Sequence, residues 1–426
     1  MAFRFAYGRP PAVAAEGMVA TSQPLATRAG LRMLEQGGNA ADAALAAAAV
    51  LCVTEPMSTG IGGDAFAIVS AGDAVEGLDA AGPAPRRADP VAPVEERGPR
   101  SVTVPGAVAG WVALAARHGR LGLDACLADA IDIAECGFAV AARAASAWAA
   151  LERDDLAGFE ARWVEPLRIG YRGYEVLELP PPTQGVAALE GLGLLEGMKS
   201  DLPSQIDCVR LALEDACARV RDGADVSDLL AHDFLEQRRP QPGAAVSGPA
   251  GGTVYLCAVD RDRMAVSFIQ SLFGSFGSGL VAPGTGVVLQ NRGGCFAVQG
   301  KVVPGKRPYH TIIPGLLRRN GDLVGPFGVM GGFIQAQAHV QLVSALVDDG
   351  LDPQAALDRP RFWIDGELVR LEEGLWRRAQ ELERIGYQVT RDGDTFGFGG
   401  GQAIIVDGEA LLGGSDPRKD GYAAGL

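Results

Sequence analysis

Thr253 stands directly behind a stretch with almost no structural propensity. Residues 237–252 read Gln-Arg-Arg-Pro-Gln-Pro-Gly-Ala-Ala-Val-Ser-Gly-Pro-Ala-Gly-Gly, and the threonine opens an apolar strand pattern after them. If the Gly252–Thr253 bond were cut, Thr253 would present a free α-amino group beside its own hydroxyl. A hydroxyl is a weak nucleophile at neutral pH, and an α-amino group with a pKa of about 8 can act as its base. Threonine is also an ordinary strand residue, so its position alone leaves both readings open. Other chemistry is less well supplied. The four histidines, His118, His232, His310 and His339, show no metal-ligand spacing, so no metal and no cofactor is expected. The seven cysteines are odd in number and none forms a CxxC pair, which argues against a disulfide framework and for a reduced compartment. Gly60-Ile-Gly-Gly-Asp64 lacks both the P-loop pattern and the GxGxxG spacing, so a nucleotide loop is not expected there.

The elements that must position Thr253 are legible in outline. Residues 253–259 form a strand, Asp260 to Arg263 a polar turn, and 264–271 a returning strand, which together predict a hairpin. Helices are predicted over 25–36, ended by Gly37-Gly38, and over 40–53, capped by Asn39. Further helices are expected at 106–118, 122–136 and 333–349, with strands at 64–69 and 287–290. A last hairpin, 402–406 and 409–412, turns at Asp407-Gly408. Residues 80–100 read as a loop. The order shows no regular βαβ alternation, which favours a layered α+β fold.

Composition narrows the class. Of 426 residues, 58 are Gly and 26 Pro, yet 48% are hydrophobic, so the chain is globular and rich in turns. The net charge of −14 makes nucleic acid and anionic membranes poor partners. The first ten residues lack the apolar core of a signal peptide, and the longest apolar stretch, Ala43 to Val53, has 11 residues. A cytoplasmic protein is expected.

Several ordered blocks resemble the γ-glutamyltranspeptidase family of N-terminal-nucleophile hydrolases. They are Gly17-Met-Val-Ala-Thr-Ser-Gln-Pro-Leu-Ala26, Gly37-Gly-Asn-Ala-Ala-Asp-Ala43, Gly60-Ile-Gly-Gly-Asp64 and Pro105-Gly-Ala-Val-Ala-Gly-Trp111. Tyr171-Arg-Gly-Tyr-Glu-Val176, Pro180-Pro-Pro-Thr-Gln-Gly185, Phe276-Gly-Ser-Gly279, Gly305-Lys-Arg-Pro308, Gly331-Gly332 and Ser415-Asp-Pro-Arg-Lys-Asp-Gly421 continue the match along nearly the whole chain. The resemblance implies a four-layer αββα fold with one core. It also implies a precursor that cuts itself between Gly252 and Thr253. The products would be a large segment, 1–252, and a small one, 253–426, held as an αβ heterodimer, with a dimer of these left open. By the same resemblance Thr253 is the nucleophile, Ser271 the hydroxyl that supports it, and Gly331 and Gly332 the oxyanion-hole donors. Adjacent glycines before a helix suit that task, and they suit a tight turn equally well.

The positions that would read a substrate differ from the usual transpeptidase. In Gln290-Asn-Arg-Gly-Gly-Cys-Phe296, an ungapped count puts Arg292 where the family has Gln and Cys295 where it has Asp. Where the family supplies two serines after the Lys-Arg-Pro motif, this chain reads Tyr309-His310-Thr311. Asn291, Arg292, His310 and Thr311 are therefore candidate substrate contacts, and the position of the family's carboxylate-clamping arginine falls on Arg86, on Arg87 or on neither. Arg292 reads alternatively as one half of a structural ion pair, and His310 as a hydrogen-bonded loop residue. Without an acid at 295, a substrate ammonium loses its partner, whereas Arg292 suits a carboxylate. The expected substrate is a small-molecule amide whose acyl part bears a carboxylate and no α-amino group, as in the acylase and amidohydrolase branch. A genuine γ-glutamyl transferase and an uncleaved, non-catalytic paralogue are the alternatives. Residues 141–160 and 199–240 look abbreviated relative to the family.

Overall fold

In the computed structural model, which describes residues 9–139, 161–238, 252–282, 284–393 and 395–426, the predicted hairpin forms from Gly252–Val259 and Ala265–Phe273. Both strands are buried along their whole length. They lie in the middle of a seven-stranded sheet whose spatial order is Tyr422–Gly425, Met18–Thr21, Gly252–Val259, Ala265–Phe273, Asp64–Ala71, Ala74–Ala80 and Arg162–Val164. Strands from either side of position 252 thus alternate within one sheet. A cut there would leave two pieces joined by backbone ladders and not two separable domains.

A second seven-stranded sheet runs Ala12–Ala14, Ala410–Ser415, Gly400–Asp407, Asp322–Met330, Gly315–Arg319, Tyr174–Glu178 and Leu167–Tyr171. Phe66, Ile68, Tyr255, Ile269, Leu316, Met330 and Ile404 fill the space between the sheets. The helices Ala40–Thr54 and Ala107–His118 cover the outer face of the first sheet, packing on Val254, Leu256 and Phe268. Gly185–Leu195, Leu202–Arg219 and Ile334–Val347 cover the second, against Phe327 and Val329. The layers are therefore αββα in an α+β fold, as expected.

Local chemistry explains the elements that were legible. Asn39 accepts from the backbone of Ala41 and Asp42 while Asp42 accepts from Asn39 N–H, a complete capping box at the start of Ala40–Thr54. Gly37, in the left-handed region at φ 86°, ends Pro24–Glu35. The final hairpin forms from Gly400–Asp407 and Ala410–Ser415, but it turns at Gly408 and Glu409, one residue later than expected, because Asp407 pairs with Ala410. The expected linker is narrower than 237–252, since Gln237 ends the helix His232–Gln237 and Gly252 already belongs to a strand. Residues 239–251 of it, and the abbreviated segment 141–160, lie outside the described residues. In the 199–240 region the chain forms Leu202–Arg219 and two short helical turns.

Candidate active site

Side chains alternate across a strand. Thr253 therefore shares the inter-sheet face with Tyr255 and Cys257, which are packed there. Ser271 shares that face with Ile269, and Asp64 with Phe66 and Ile68. Register then brings the three together, because Thr253 pairs with Ser271 and Ser271 with Asp64 on the next strand. Three adjacent strands thus present a hydroxyl, a hydroxyl and a carboxyl in one row, facing into the molecule. The Thr253 and Ser271 hydroxyls lie 3.0 Å apart, and Thr253 is only 2% exposed.

Arg292 enters from the short helical stretch Arg292–Gln299 and is fully buried. Its Nη2 donates to Ser271 Oγ at 3.1 Å and its Nη1 to Thr311 Oγ1 at 2.9 Å. The guanidinium lies over the Phe273 ring, 4.5 Å from its centroid. A longer contact of 3.8 Å reaches Cys295 Sγ, whose thiol burial pushes up. Arg292 Nε has no hydrogen-bond partner among the described residues. No carboxylate hydrogen-bonds this guanidinium among them either, so the reading of Arg292 as half of a structural ion pair does not describe the geometry.

His310 is buried too. Its Nε2 lies 2.9 Å from Asp64 Oδ2, and the backbone holds it through His310 N to Pro182 O at 2.8 Å and Gln184 N to His310 O at 2.9 Å. Burial, reinforced by the fields of Arg292 and Arg307, keeps its pKa well below the usual imidazole value. The ring is neutral, and the contact is a hydrogen bond. The other Asp64 oxygen accepts from Gly82 N at 3.0 Å and Gln290 Nε2 at 2.8 Å. Burial raises the Asp64 carboxyl to about 7 against the opposing pull of the Arg292 charge. Gln290 Oε1 and His310 Nδ1 are, like Arg292 Nε, buried without a partner among the described residues.

Gly331 and Gly332 form the turn between Asp322–Met330 and Ile334–Val347, at φ 130° and 75°. A Cβ at Gly331 would meet Ile334 Cγ2 at 2.8 Å and Gly399 Cα at 2.9 Å, so the turn requires glycine there. The Gln184 amide donates to both Thr311 O, at 2.7 Å, and Gly332 O, at 3.2 Å. One side chain thereby ties the turn to the segment that carries His310 and Thr311.

The remaining sequence candidates are placed differently. Asn291 Oδ1 accepts from Gly274 N and its Nδ2 donates to Glu96 O, both at 2.7 Å. Both ends of this amide are bonded to backbone, which fixes the orientation of the Asn291 side chain beside Arg292. Arg86 and Arg87 are exposed on their loop and hydrogen-bond to none of the site residues above. Arg307 of the Lys-Arg-Pro motif is a buried strut, bonded to Asp222 at 2.7 Å and to Asp79. Asp64, Gln290 and Gln184 were not singled out from sequence as site residues. The available signal for Asp64 was an acid at the head of an otherwise apolar strand, Asp64–Ala71, where an unpaired charge would be costly.

The chain matches the gamma-glutamyltranspeptidase family over residues 26–154 and 149–426. It is 30% identical to the glutathione hydrolase-like YwrD proenzyme of Bacillus subtilis, with 96% of this chain and 98% of that protein covered. It is also 30% identical to the oxamate amidohydrolase proenzyme of Klebsiella pneumoniae, covering 97% and 99%. The alignment to the first of these runs to 521 positions, so that relative carries segments this 426-residue chain lacks. Among solved structures, the cephalosporin acylase from Bacillus halodurans superposes with a TM-score of 0.90 at 36% identity, over 100% of this chain and 98% of that one. No helix among the described residues is long and apolar enough to cross a membrane. Its αββα layers, its sequence and its relatives agree that the chain belongs to the gamma-glutamyltranspeptidase family, as an amidohydrolase and acyltransferase of the N-terminal-nucleophile class.

Proposed function

We propose that the chain cuts itself between Gly252 and Thr253, and that the freed Thr253 then cleaves amides whose acyl group carries a carboxylate but no α-amino group. In the first half-reaction the Thr253 α-amine takes the hydroxyl proton, Oγ1 attacks the amide carbon, and the amine leaves with that proton. The Gly331 and Gly332 N–H groups receive the oxyanion. Water, or an acceptor amine, then attacks the ester and releases the acid or the new amide. The observation that carries the substrate assignment is Arg292, a buried guanidinium one hydroxyl away from Thr253, with its Nε lacking a hydrogen-bond partner among the described residues. The names of relatives point the same way, since oxamate is itself an amide bearing a carboxylate and no α-amino group.

The substrate class is tested with the purified protein on glutaryl- and oxalyl-amides, a neutral butyryl-anilide and γ-glutamyl-anilide. A charge-assisted contact of about 1.5–3 kcal/mol predicts kcat/KM about 10- to 100-fold higher for the carboxylate acyl groups than for the neutral one. If γ-glutamyl-anilide were the best substrate, the protein would be a γ-glutamyl enzyme and the assignment would fail.

Asp64 adds a pH dependence. Below about pH 7 its carboxyl is protonated and leaves the Arg292 charge to the substrate. Above it, the anion competes for the same field. KM for a carboxylate substrate should therefore rise as pH climbs from about 6 to about 8, and Asp64→Asn should flatten that rise. A KM profile unchanged by Asp64→Asn would remove Asp64 from substrate binding.

A further inference from the structure

The Ser271 hydroxyl has four polar neighbours. Phe273 N–H donates to Ser271 Oγ at 2.8 Å, and Arg292 Nη2 donates at 3.1 Å. Gly252 O lies 2.7 Å away and Thr253 Oγ1 3.0 Å away. A hydroxyl has two lone pairs and one proton. The two N–H donors occupy the lone pairs, and the proton is directed to the nearer acceptor, Gly252 O. This is the carbonyl of the Gly252–Thr253 bond. The backbone is arranged for the contact by a bulge, because Gly252 pairs with Phe273 and Thr253 with Ser271, leaving Leu272 as the extra residue.

We propose that Arg292 is a positioning residue for self-cleavage, acting through Ser271 on the Gly252 carbonyl. The proposal rests on the reading of Thr253 as the self-cleaving residue. With its lone pairs held by a backbone N–H and a buried cation, Ser271 is a fixed donor to the scissile oxygen. Thr253 Oγ1 bonds to the Gly252 carbon, the Gly252–Thr253 C–N bond breaks, and the hydroxyl proton passes to the departing nitrogen. Water then hydrolyses the resulting ester, leaving the Gly252 carboxylate, the Thr253 hydroxyl and a free Thr253 amine. Once that carbonyl has gone, the Ser271 proton is free to turn to Thr253 Oγ1. Thr311 and the Phe273 ring fix the guanidinium plane throughout, and Nε, which has no partner among the described residues, is left over for the substrate carboxylate.

The test follows the full-length chain made in a cell-free translation mix, sampled over time by denaturing gel and intact mass. The variants are Arg292→Gln, Ser271→Ala, both together, and Thr253→Ala. Glutamine keeps an N–H donor and loses the charge. Removing a charge-assisted bond predicts cleavage about 10- to 100-fold slower in Arg292→Gln. Because both residues act along one path, the double variant should be no slower than Ser271→Ala alone. Cleavage of Arg292→Gln at the wild-type rate, or fully multiplicative slowing in the double variant, overturns the proposal. If Arg292→Gln does not accumulate as soluble chain, Arg292→Lys replaces it, with slower cleavage and the same non-additivity expected. Thr253→Ala separates the two readings. If it stays intact while Arg292→Gln cleaves normally, only the Arg292 proposal fails. If it is itself cut at 252/253, the underlying reading fails.

Discussion

Thr253→Ala is expected to yield one uncut chain of 44.2 kDa with no measurable amide hydrolysis. The substitution removes one hydroxyl and one methyl from a strand paired on both sides, by Met18–Thr21 and by Ala265–Phe273. Its structural cost is that of a single lost hydrogen bond, on the order of 1 kcal/mol, so the chain should still fold. The chemical cost is far larger. The hydroxyl that would attack the Gly252 carbonyl is gone, and with it the proposed nucleophile of every later turnover. Loss of a covalent nucleophile lowers kcat by at least about 10³-fold. Thr253→Ser keeps the oxygen and should restore both cleavage and activity, more slowly because a serine χ1 is less restricted than that of a β-branched residue. Two fragments from Thr253→Ala would move the nucleophile elsewhere.

What sequence made legible and what it hid divide along a physical line. The Thr253 hairpin appears to within one or two residues of its bounds because an apolar run, a polar turn and a second apolar run are local signals. The capping box at Asn39 is also local. The helix Gly185–Leu195 was not anticipated, because every residue in it but Gly193 is buried and the run shows no periodic polar face. The Asp64–His310 contact joins residues 246 positions apart, and Gln290 reaches Asp64 across 226. Such contacts arise from strand order, which places Asp64–Ala71 beside Ala265–Phe273, and no spacing rule encodes that order. Asn291 is hidden in the same way, because its place beside Arg292 in the sequence does not show that Gly274 N–H and the Glu96 carbonyl bond to the two ends of its amide.

Gly63→Ala is expected to damage folding and maturation together, for a reason the motif text does not display. In Gly60-Ile-Gly-Gly-Asp64, the adjacent Gly62 and Gly63 are required because other backbones pass close to them. A Cβ at Gly63 would lie 2.3 Å from Ser271 O, and one at Gly62 would lie 1.8 Å from Val288 O. Both obstacles are main chain, so they cannot swing aside as a flexible side chain would. Gly63 O also accepts the N–H groups of Gly106 and Ala107, each at 2.9 Å, which docks the Pro105-Gly-Ala block at the start of its helix. Forcing Ser271 away from Gly63 would disturb the hydroxyl that sits between Arg292 and the Gly252 carbonyl. Overpacking of this kind costs about 1–3 kcal/mol, and more where backbone must separate. Gly63→Ala should therefore lower the urea midpoint and slow the appearance of the two fragments at least about 10-fold, the equivalent of about 1.4 kcal/mol in the barrier. Gly72→Ala is the matched control. Gly72 sits at φ 59° with nothing within 4 Å of an added Cβ, so its cost is conformational, about 1–2 kcal/mol, and remote from Ser271. Equal cleavage rates in the two alanine variants would mean that the close approach at Gly63 does not set the geometry of Ser271. A slow Gly63→Ala beside a normal Gly72→Ala would show that this glycine motif acts by letting the Asp64 strand lie against the Ser271 strand at the distance the site requires.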